Sequence, residues 1–264
     1  MDSEELPLRG ICLYRYIWQQ FYNHGLEVMK TLKAESVDCV ITSPPYPGVN
    51  SMWGELYKAE NFDKAHEFLS CVWDECLRLL RPGCKLIINI ANTKRRPYLP
   101  NVSSVYWWAR NRIEPKGEII WNKGFGQAGT AWGSFCSPSD PALEDQHEYI
   151  LVFRKYGKRQ KPKSFEKINL KDFKSWRNSM WNIPPAKASV VGHIAPFPIQ
   201  IPSRLIILYT FKGETVLDPF NGSGTTGEAC IRLNRNYIGI EKERKYCELS
   251  YKRWASVKQQ LSLL

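Results

Sequence analysis

One stretch near the C-terminus constrains the fold more than any other: GETVLDPFNGSGTTGEACIRLNRNYIGIEKE, residues 213–243. It predicts a short strand over residues 215–217, a glycine-rich turn, a helix and a second strand that ends at Glu241. Gly222, Gly224 and Gly227 form the pattern G-x-G-x-x-G. In this pattern the first two glycines permit a tight turn and close approach to a ligand, and the third permits close helix packing. Such a unit is typical of an α/β fold with a parallel sheet.

Two carboxylates add a ligand to this prediction. Asp218 follows the first strand, and Glu241 ends the second, where it can accept hydrogen bonds from ribose hydroxyls. Phe220 can pack on an adenine ring or on a methionine chain. NAD is the usual ligand of the pattern, but only about 20 residues follow Glu241, too few for a second mononucleotide-binding half. The stretch therefore predicts another adenosine-bearing cofactor, and a strand–helix turn without a ligand is the alternative.

The rest of the chain continues the alternation of strands and helices. Apolar spacing predicts a short helix over residues 26–32 and a long one from Phe62, capped by Asn61 or Asp63 and ended by Pro82-Gly83. Further strands are predicted over residues 37–42, 84–92, 117–124 and 147–155. We therefore expect one α/β domain over residues 1–264, with a doubly wound, mostly parallel sheet.

Composition excludes several other classes of protein. A hydrophobic content of 43% argues against disorder. The longest apolar runs, KLIINIAN and RLIILYTF, are far shorter than the roughly 20 residues that cross a bilayer. The N-terminus MDSEELPLRG is acidic and has no apolar segment, unlike a signal peptide. We expect a soluble, cytoplasmic protein with no membrane partner.

The eight cysteines do not indicate a metal site or a disulfide framework. No two of them have the spacing of a zinc knuckle, and no histidine has a second one three to five residues away. We interpret them as reduced core residues and predict no metal. They are Cys12, Cys39, Cys71, Cys76, Cys84, Cys136, Cys230 and Cys247.

Positive charge is concentrated in one segment. The net charge is +11, and residues 154–177 hold ten Lys and Arg against two acidic residues, interleaved with aromatic residues. This combination suits phosphate contacts and base stacking, although a solvated surface is the alternative. We predict a target-recognition region over residues 156–180, assisted by the loops at 47–60 and 124–145. The predicted DNA-binding residues are Lys158, Arg159, Lys161, Lys163, Lys171, Lys174 and Arg177.

A second unusual stretch, VDCVITSPPYPG at residues 37–48, ends a buried strand in two consecutive prolines. Proline fixes φ and has no N–H group, so the corner is rigid and its carbonyls are free to accept hydrogen bonds. Tyr46 adds an aromatic ring. Taken alone, this corner is interpreted more simply as an ordinary end of a strand, and a recognition loop is the alternative.

Taken together, TSPPY at 42–46 and DPFNGSGTT at 218–226 resemble the DNA amino-methyltransferases of the circularly permuted β group. In that group the catalytic motif precedes the adenosylmethionine motif, as it does here. The stretches IIWNKG, TAWGS, HEYILVF and HIAPFPIQIPSRLIILY are also similar, and the resemblance extends from about His24 to Arg253. It implies a seven-stranded-type methyltransferase sheet with a small inserted recognition segment, S-adenosyl-L-methionine as cofactor and double-stranded DNA as partner.

The resemblance also implies roles for individual residues. The Ser43 side chain and the Pro44 carbonyl would accept hydrogen bonds from the amino group, Pro45 would hold the loop, and Tyr46 would stack on a flipped base. The strands before Ser43 and Asp218 should be neighbours, with both loops at the carboxyl edge of the sheet. The implied cofactor-binding residues are Asp218, Phe220, Gly222, Gly224, Thr225, Glu241, His193 and Phe197.

The residue before Pro-Pro-Tyr bears on the target base. In the resembling family Ser is typical of N4-cytosine enzymes and Asp of N6-adenine enzymes, so Ser43 predicts cytosine, with adenine as the alternative. The chain has no Pro-Cys dipeptide, which argues against carbon-5 methylation. A non-catalytic nucleic-acid-binding relative is a further alternative. Leu26 stands where relatives carry an acidic residue that frames the cofactor side, which leaves that role to Asp218 and Glu241 or weakens cofactor affinity. The target site, a cognate restriction endonuclease and the choice between monomer and homodimer stay open.

Overall fold

A computed structural model describes residues 11–13, 24–48, 54–93, 98–124, 133–143, 146–186 and 198–262. The strands are β1 (Ile11–Leu13), β2 (Val37–Thr42), β3 (Leu80–Ile90), β4 (Glu114–Asn122), β5 (His147–Arg154), β6 (Met180–Asn182), β7 (Thr215–Asp218) and β8 (Asn236–Ile240). The helices are α1 (His24–Thr31), α2 (Phe62–Leu79), α3 (Asn101–Ala109), α4 (Leu170–Trp176), α5 (Gln200–Tyr209), α6 (Thr225–Arg232) and α7 (Arg244–Ser262). Two 3₁₀ turns, Glu55–Tyr57 and Ala59–Asn61, precede α2.

The described strands form one sheet in the order β1-β8-β7-β2-β3-β5-β4-β6. All pairs are parallel except those of β5, which runs antiparallel to both β3 and β4. The prediction of a mostly parallel sheet is therefore confirmed. Strand β2 pairs with β7 in parallel, with Cys39 opposite Val216 and Val40 opposite Leu217. The Ser-Pro-Pro-Tyr corner and the glycine-rich turn consequently leave the same edge of the sheet from neighbouring strands, as predicted.

Apolar side chains cover both faces of the sheet. In β3, Leu86 and Ile88 pack with α1, α2 and α3, whereas Ile87 belongs to the cluster formed with α5, α6 and α7. This division follows from the alternation of side chains along a strand. The runs of β2, β3 and β5 are apolar on both faces because helices cover both, which is the pattern of a buried parallel sheet. The doubly wound arrangement is confirmed.

The boundary between α2 and β3 differs from the prediction. Helix α2 ends at Leu79, and β3 begins at once at Leu80. Val37 lies opposite Leu80 but Cys39 lies opposite Lys85, so the intervening residues form a bulge that contains Pro82-Gly83. Gly83 adopts a φ of 78°, which favours glycine. The dipeptide thus bends a strand and does not end the helix. Asn61 occupies the N-cap position of α2, but its side chain donates to the Glu55 carbonyl.

Sequence patterns did not predict two elements, α4 within the basic segment and β6 directly after it. After β5 the chain passes along the amino edge of the parallel strands, opposite to the Ser-Pro-Pro-Tyr corner. It then forms α4 and returns to the sheet as β6, parallel to β4.

Of the seven cysteines whose side chains the structure describes, five are buried and free, as predicted, but Cys71 and Cys136 are exposed. The described residues contain no group of His, Cys, Asp or Glu side chains that could hold a metal ion. Among the helices described, none combines the length and the apolar character needed to cross a bilayer.

Candidate active site

The Ser-Pro-Pro-Tyr corner directly follows β2 and is held from outside. Asn101 on α3 donates through Nδ2 to the Pro47 carbonyl at 3.2 Å and to the Ala91 carbonyl at 3.0 Å. The Gly48 N–H donates to the Tyr57 carbonyl at 2.8 Å. Among the described residues, no donor contacts the Pro44 carbonyl. The corner is therefore a braced loop with an acceptor available, as the two prolines predict.

Behind the corner lies a polar cluster that sequence reasoning missed. The Ser43 and Tyr46 hydroxyl oxygens are 3.0 Å apart, and Tyr46 Oη donates to Glu148 Oε2 at 2.8 Å. Asn89 Nδ2 lies 2.6 Å from Glu148 Oε2, 2.9 Å from Tyr46 Oη and 3.3 Å from Ser43 Oγ. Lys123 forms an ion pair with Glu148. The signal in the sequence was a polar residue inside each of two apolar runs, Asn89 in KLIINI and Glu148 in HEYILVF.

The cluster determines the ionisation state of the tyrosine. Burial, and then the charge of Glu148, raise the pKa of Tyr46 well above its ordinary value. The phenol is therefore neutral near pH 7 and acts as a hydrogen-bond donor to the carboxylate.

Asp218 links the corner to the glycine-rich turn. Its Oδ1 accepts from Thr42 Oγ1 at 2.7 Å and from the Phe220 N–H at 3.1 Å, and its Oδ2 accepts from Thr226 Oγ1 at 2.9 Å. The side chain is almost fully buried, and this burial raises the pKa of Asp218 from 3.8 to about 6 despite these three donors. Thr42 precedes Ser43 in the chain, so one hydrogen bond joins the two loops.

We expect Asp218→Asn to remove a pH dependence of stability. Folded Asp218 holds its proton up to about pH 6, while the unfolded chain loses it near 3.8, so its stabilising contribution is complete below 3.8 and is lost as pH rises through about 6. The difference in free energy of unfolding between wild type and variant should fall by an amount on the order of 3 kcal/mol from about pH 4 to 7. Urea denaturation of both proteins across this range measures it, and parallel profiles would contradict the assignment.

The glycine-rich turn has the backbone that its sequence predicts. Gly222 and Gly224 have φ values of 51° and 78°, in the left-handed region. Glu241, directly after β8, accepts from the Gly222 N–H at 2.7 Å. A Cβ atom on Gly224 would lie 2.7 Å from Ser250 Oγ and 2.9 Å from Trp254 Nε1. The Cβ position of Gly224 therefore faces α7, and a side chain there would collide with this helix.

Helix α7 supports the glycine-rich turn through contacts that no sequence motif predicted. Trp254 Nε1 donates to the Gly224 carbonyl at 2.9 Å, and Ser250 Oγ donates to the Gly222 carbonyl at 3.1 Å. Arg253 Nη1 donates to Thr225 Oγ1 at 2.7 Å, so the Thr225 hydroxyl already has a partner within the chain. These contacts hold the turn against α7.

Of the remaining predicted cofactor residues, the structure describes only Phe220. Phe220 is partly buried and meets Trp73 edge to face at 6.0 Å. His193 and Phe197 lie outside the described residues. Leu26 is buried in the core beside the end of β8, so this position contributes packing where relatives were expected to carry a charge.

The predicted DNA-binding residues do not lie together. Arg159 contacts the amino edge: its guanidinium donates to the Tyr209 carbonyl and to Glu214 Oε2, both at 2.6 Å, and lies 5.0 Å from the Phe211 ring. Arg159 thus has partners within the chain, and its predicted DNA contact stays a prediction. Lys158, Lys161 and Lys163 are exposed near this edge, whereas three other exposed residues lie on or directly after α4: Lys171, Lys174 and Arg177.

Comparison with known proteins defines the class. A family model described as DNA methylase, of the N6/N4 type, matches residues 37–252, and the chain belongs to this family. Type II methyltransferase M.MjaI of Methanocaldococcus jannaschii is 32% identical over 260 residues, covering 82% of this chain and 84% of that protein. Type II methyltransferase M.MthZI of Methanothermobacter thermautotrophicus is 30% identical over 256 residues, covering 84% and 72%. TTHA0409 from Thermus thermophilus, complexed with S-adenosyl-L-methionine, superposes with a TM-score of 0.72 at 28% identity, covering 88% and 92%.

These matches confirm the predicted fold class and the predicted cofactor, S-adenosyl-L-methionine. The residues at the carboxyl edge fit this cofactor chemically. The Glu241 carboxylate beside the turn suits ribose hydroxyls, and the Phe220 ring next to Asp218 suits an apolar part of the molecule. When bound, the cofactor supplies a methyl group on a positively charged sulfur.

Proposed function

We propose that this chain is a DNA methyltransferase of the circularly permuted β group that methylates the exocyclic N4 amine of cytosine. The observation that carries this proposal is the parallel pairing of β2 with β7. It brings the Ser43–Tyr46 corner and the glycine-rich turn to one edge of the sheet, joined by the hydrogen bond from Thr42 to Asp218. Methyl donor and acceptor would meet at this edge.

The chemistry requires positioning more than strong activation. An exocyclic amine is a poor nucleophile because its lone pair is delocalised into the ring, whereas a methyl group on sulfonium is a good electrophile. Ser43 Oγ and the Pro44 carbonyl would accept the two N–H groups, which favours a tetrahedral nitrogen whose lone pair points at the methyl group. Pro45 would hold the loop, and the Tyr46 ring would stack on the base after it leaves the duplex.

Methyl transfer itself is the direct test. Incubation of the protein with tritiated S-adenosyl-L-methionine and double-stranded DNA should label the DNA, and nucleoside analysis should place the label in N4-methylcytosine. Label in N6-methyladenine would overturn the choice of base but keep the class of reaction. Absence of label from every DNA and RNA, with cofactor binding intact, would favour a non-catalytic nucleic-acid-binding relative.

We propose that duplex DNA lies across the carboxyl edge and contacts the recognition segment, residues 156–180, through its later part. Helix α4 leads directly into β6, and β6 pairs with the last three residues of β4, next to Lys123 and the active site. Lys171, Lys174 and Arg177 on this side would contact phosphates. Lys161 and Lys163 lie near Glu166 and Phe165, which contact Lys212 and Phe211 at the opposite edge.

This placement predicts different effects for two matched pairs of lysines. Lys171→Gln with Lys174→Gln should weaken DNA binding and reduce the slope of log K against log salt by up to about 2, because each phosphate contact contributes about 0.9. Lys161→Gln with Lys163→Gln removes the same charge and should leave the slope nearly unchanged. Fluorescence anisotropy over a range of salt concentrations measures both. If both pairs reduced the slope equally, the interface would extend to the amino edge. If neither pair changed the slope, the segment would be a solvated surface.

A short recognition segment suggests a short target site. Methylation of such a site would block a restriction endonuclease that cuts there, in line with the Type II names of the two relatives. Sequencing DNA from a cell that expresses the chain, with calling of modified cytosines, would identify the site.

A further inference from the structure

A buried carboxylate lies one side chain away from the catalytic corner. Glu148 is 8% exposed, and β5 presents it at the carboxyl edge because this strand is antiparallel. Its Oε1 pairs with the Lys123 ammonium, and its Oε2 accepts from Tyr46 and Asn89. A carboxylate at this depth needs such partners to remain ionised. None of the steps described for methyl transfer under the proposed function uses this carboxylate.

The hydrogen bonds around Tyr46 have a defined direction. The Glu148 carboxylate forms an ion pair with Lys123, and a carboxylate can only accept, so the single hydroxyl hydrogen of Tyr46 points to Glu148 Oε2. The contact between the hydroxyls of Ser43 and Tyr46 must then be donated by Ser43. Both hydroxyl hydrogens consequently point from Ser43 toward Glu148, and lone pairs on Ser43 Oγ are left for another donor.

Asn89 fixes this direction. Its Nδ2 faces Glu148 Oε2, and the opposite orientation of the amide would place Oδ1 against the carboxylate at 2.6 Å. Nδ2 therefore donates to the carboxylate and, with its second hydrogen, toward the two hydroxyl oxygens. Ser43 donates to Tyr46, Tyr46 donates to Glu148, and Asn89 donates to the acceptors of both bonds. The groups thus form an oriented hydrogen-bonded chain.

We propose that Glu148 receives the proton released in methyl transfer, through Ser43 and Tyr46. This proposal rests on the proposed function. As the N–C bond to the methyl group forms, the S–C bond breaks and its electron pair remains on sulfur. The amine nitrogen gives its proton to Ser43 Oγ, Ser43 gives its own to Tyr46 Oη, and Tyr46 gives its own to Glu148 Oε2. The products are the methylated neutral amine, a neutral thioether and a neutral carboxylic acid, which later returns its proton to solvent.

The relay solves a problem that Ser43 alone leaves open. A serine hydroxyl is a weak base, yet methylation places a positive charge on the amine nitrogen. Proton transfer through the two hydroxyls to Glu148 removes the positive charge from the nitrogen, although the carboxylate does not contact the base directly. Glu148 is thus a positioning residue that acts through Tyr46, while Ser43 is the catalytic residue.

Two conservative variants interrupt the relay at different points. Glu148→Gln removes the charge, and Tyr46→Phe removes one hydroxyl but keeps the ring for stacking. Each should lower the single-turnover rate of methyl transfer by about 10²-fold, the lower end of the range for proton-transfer catalysis. The double variant should be no slower than the worse single one, because both changes interrupt one path. Affinity for S-adenosyl-L-methionine should change by less than about threefold in each.

The pH profile distinguishes the relay from structural support. Among the residues that the structure describes, the titratable groups that face Glu148 are Tyr46 and Lys123, and the rings of His147 and Tyr149 contact each other on the other face of β5. Because the relay needs a carboxylate that can accept a proton, the wild-type rate should fall on the acidic side of its pH profile, and Glu148→Gln should lack this fall. Tyr106→Phe is the matched control, since Tyr106 also donates to a carboxylate, Glu118 at 3.1 Å, away from the corner. Its rate should equal that of wild type.

The two proposals fail in different ways. A wild-type protein that labels no DNA contradicts the proposed function. A wild-type protein that labels DNA, with Glu148→Gln or Tyr46→Phe within about threefold of its rate, contradicts the relay. Loss of cofactor affinity in parallel with rate, or an unchanged acidic limb in Glu148→Gln, would also overturn the relay and leave Glu148 a structural role.

Discussion

Replacement of Tyr46 by alanine is expected to reduce the single-turnover rate of methyl transfer by about 10³-fold and to leave cofactor affinity within about threefold. Two contributions add in this variant. Stacking of a base on an aromatic ring contributes about 1–3 kcal/mol, and the hydroxyl link to Glu148 contributes a further factor of about 10². The ring lies after β2, whereas the cofactor residues lie after β7 and β8, so the cofactor should bind normally. Rapid quench and titration calorimetry measure the two quantities.

The comparison of Tyr46→Ala with Tyr46→Phe separates ring from hydroxyl. The phenylalanine variant should transfer methyl groups about tenfold faster than the alanine variant, or more, because it keeps the stacking surface. Equal rates for the two variants would mean that the ring does not stack on the base. If Tyr46→Ala lost cofactor binding to the same extent as turnover, the corner would be mainly a structural brace, and the proposed role of Tyr46 would be withdrawn.

The parts of the site that the sequence predicted are those with local causes. Left-handed glycines at 222 and 224 follow from the pattern of the turn, and the rigid corner follows from Pro44 and Pro45. The adjacency of β2 and β7 was also predictable, because ligands of open α/β sheets bind where neighbouring parallel strands end.

The cluster behind the corner has no local cause. Glu148 reaches Tyr46, 102 residues away, because β5 is inserted antiparallel between β3 and β4. A parallel strand in that place would present its other end at this edge. Strand direction is set by long-range packing, and the alternation of HEYILVF is the same in both cases, so the sequence could not assign Glu148 to the site.

The charge pattern also did not reveal which cations have partners within the protein. Arg159 belongs to a dense basic run, but its partner Glu214 is 55 residues away, and most of its side chain is buried. Burial raises the pKa of Glu214, and the guanidinium of Arg159 opposes this shift. Net charge identifies a segment, whereas the tertiary partners decide which of its cations remain available to a phosphate.

Replacement of Gly227 by alanine should destabilise the protein, although alanine favours a helix by about 1 kcal/mol over glycine. The added Cβ would lie 2.5 Å from Trp254 Cζ2 and 2.7 Å from Tyr237 Cε1. Both rings are buried and cannot move freely, since Tyr237 donates to Asn221 and Trp254 donates to the Gly224 carbonyl. We expect a loss of about 3 kcal/mol in the free energy of unfolding and a melting temperature roughly 6–12 °C lower.

Gly25→Ala provides the matched control for this prediction. Gly25 is also helical, in α1, but among the described residues its added Cβ would meet only Ile240 Cγ2 at 3.9 Å, an ordinary contact. The same change of residue should therefore be neutral or stabilise the protein by up to about 1 kcal/mol. Because Trp254 also holds the glycine-rich turn, Gly227→Ala should weaken S-adenosyl-L-methionine binding in the fraction that stays folded. Gly25→Ala should not lower the melting temperature. Similar melting temperatures for the two variants would show that α6 can move away from α7, and that the third glycine of the pattern is not required for close packing.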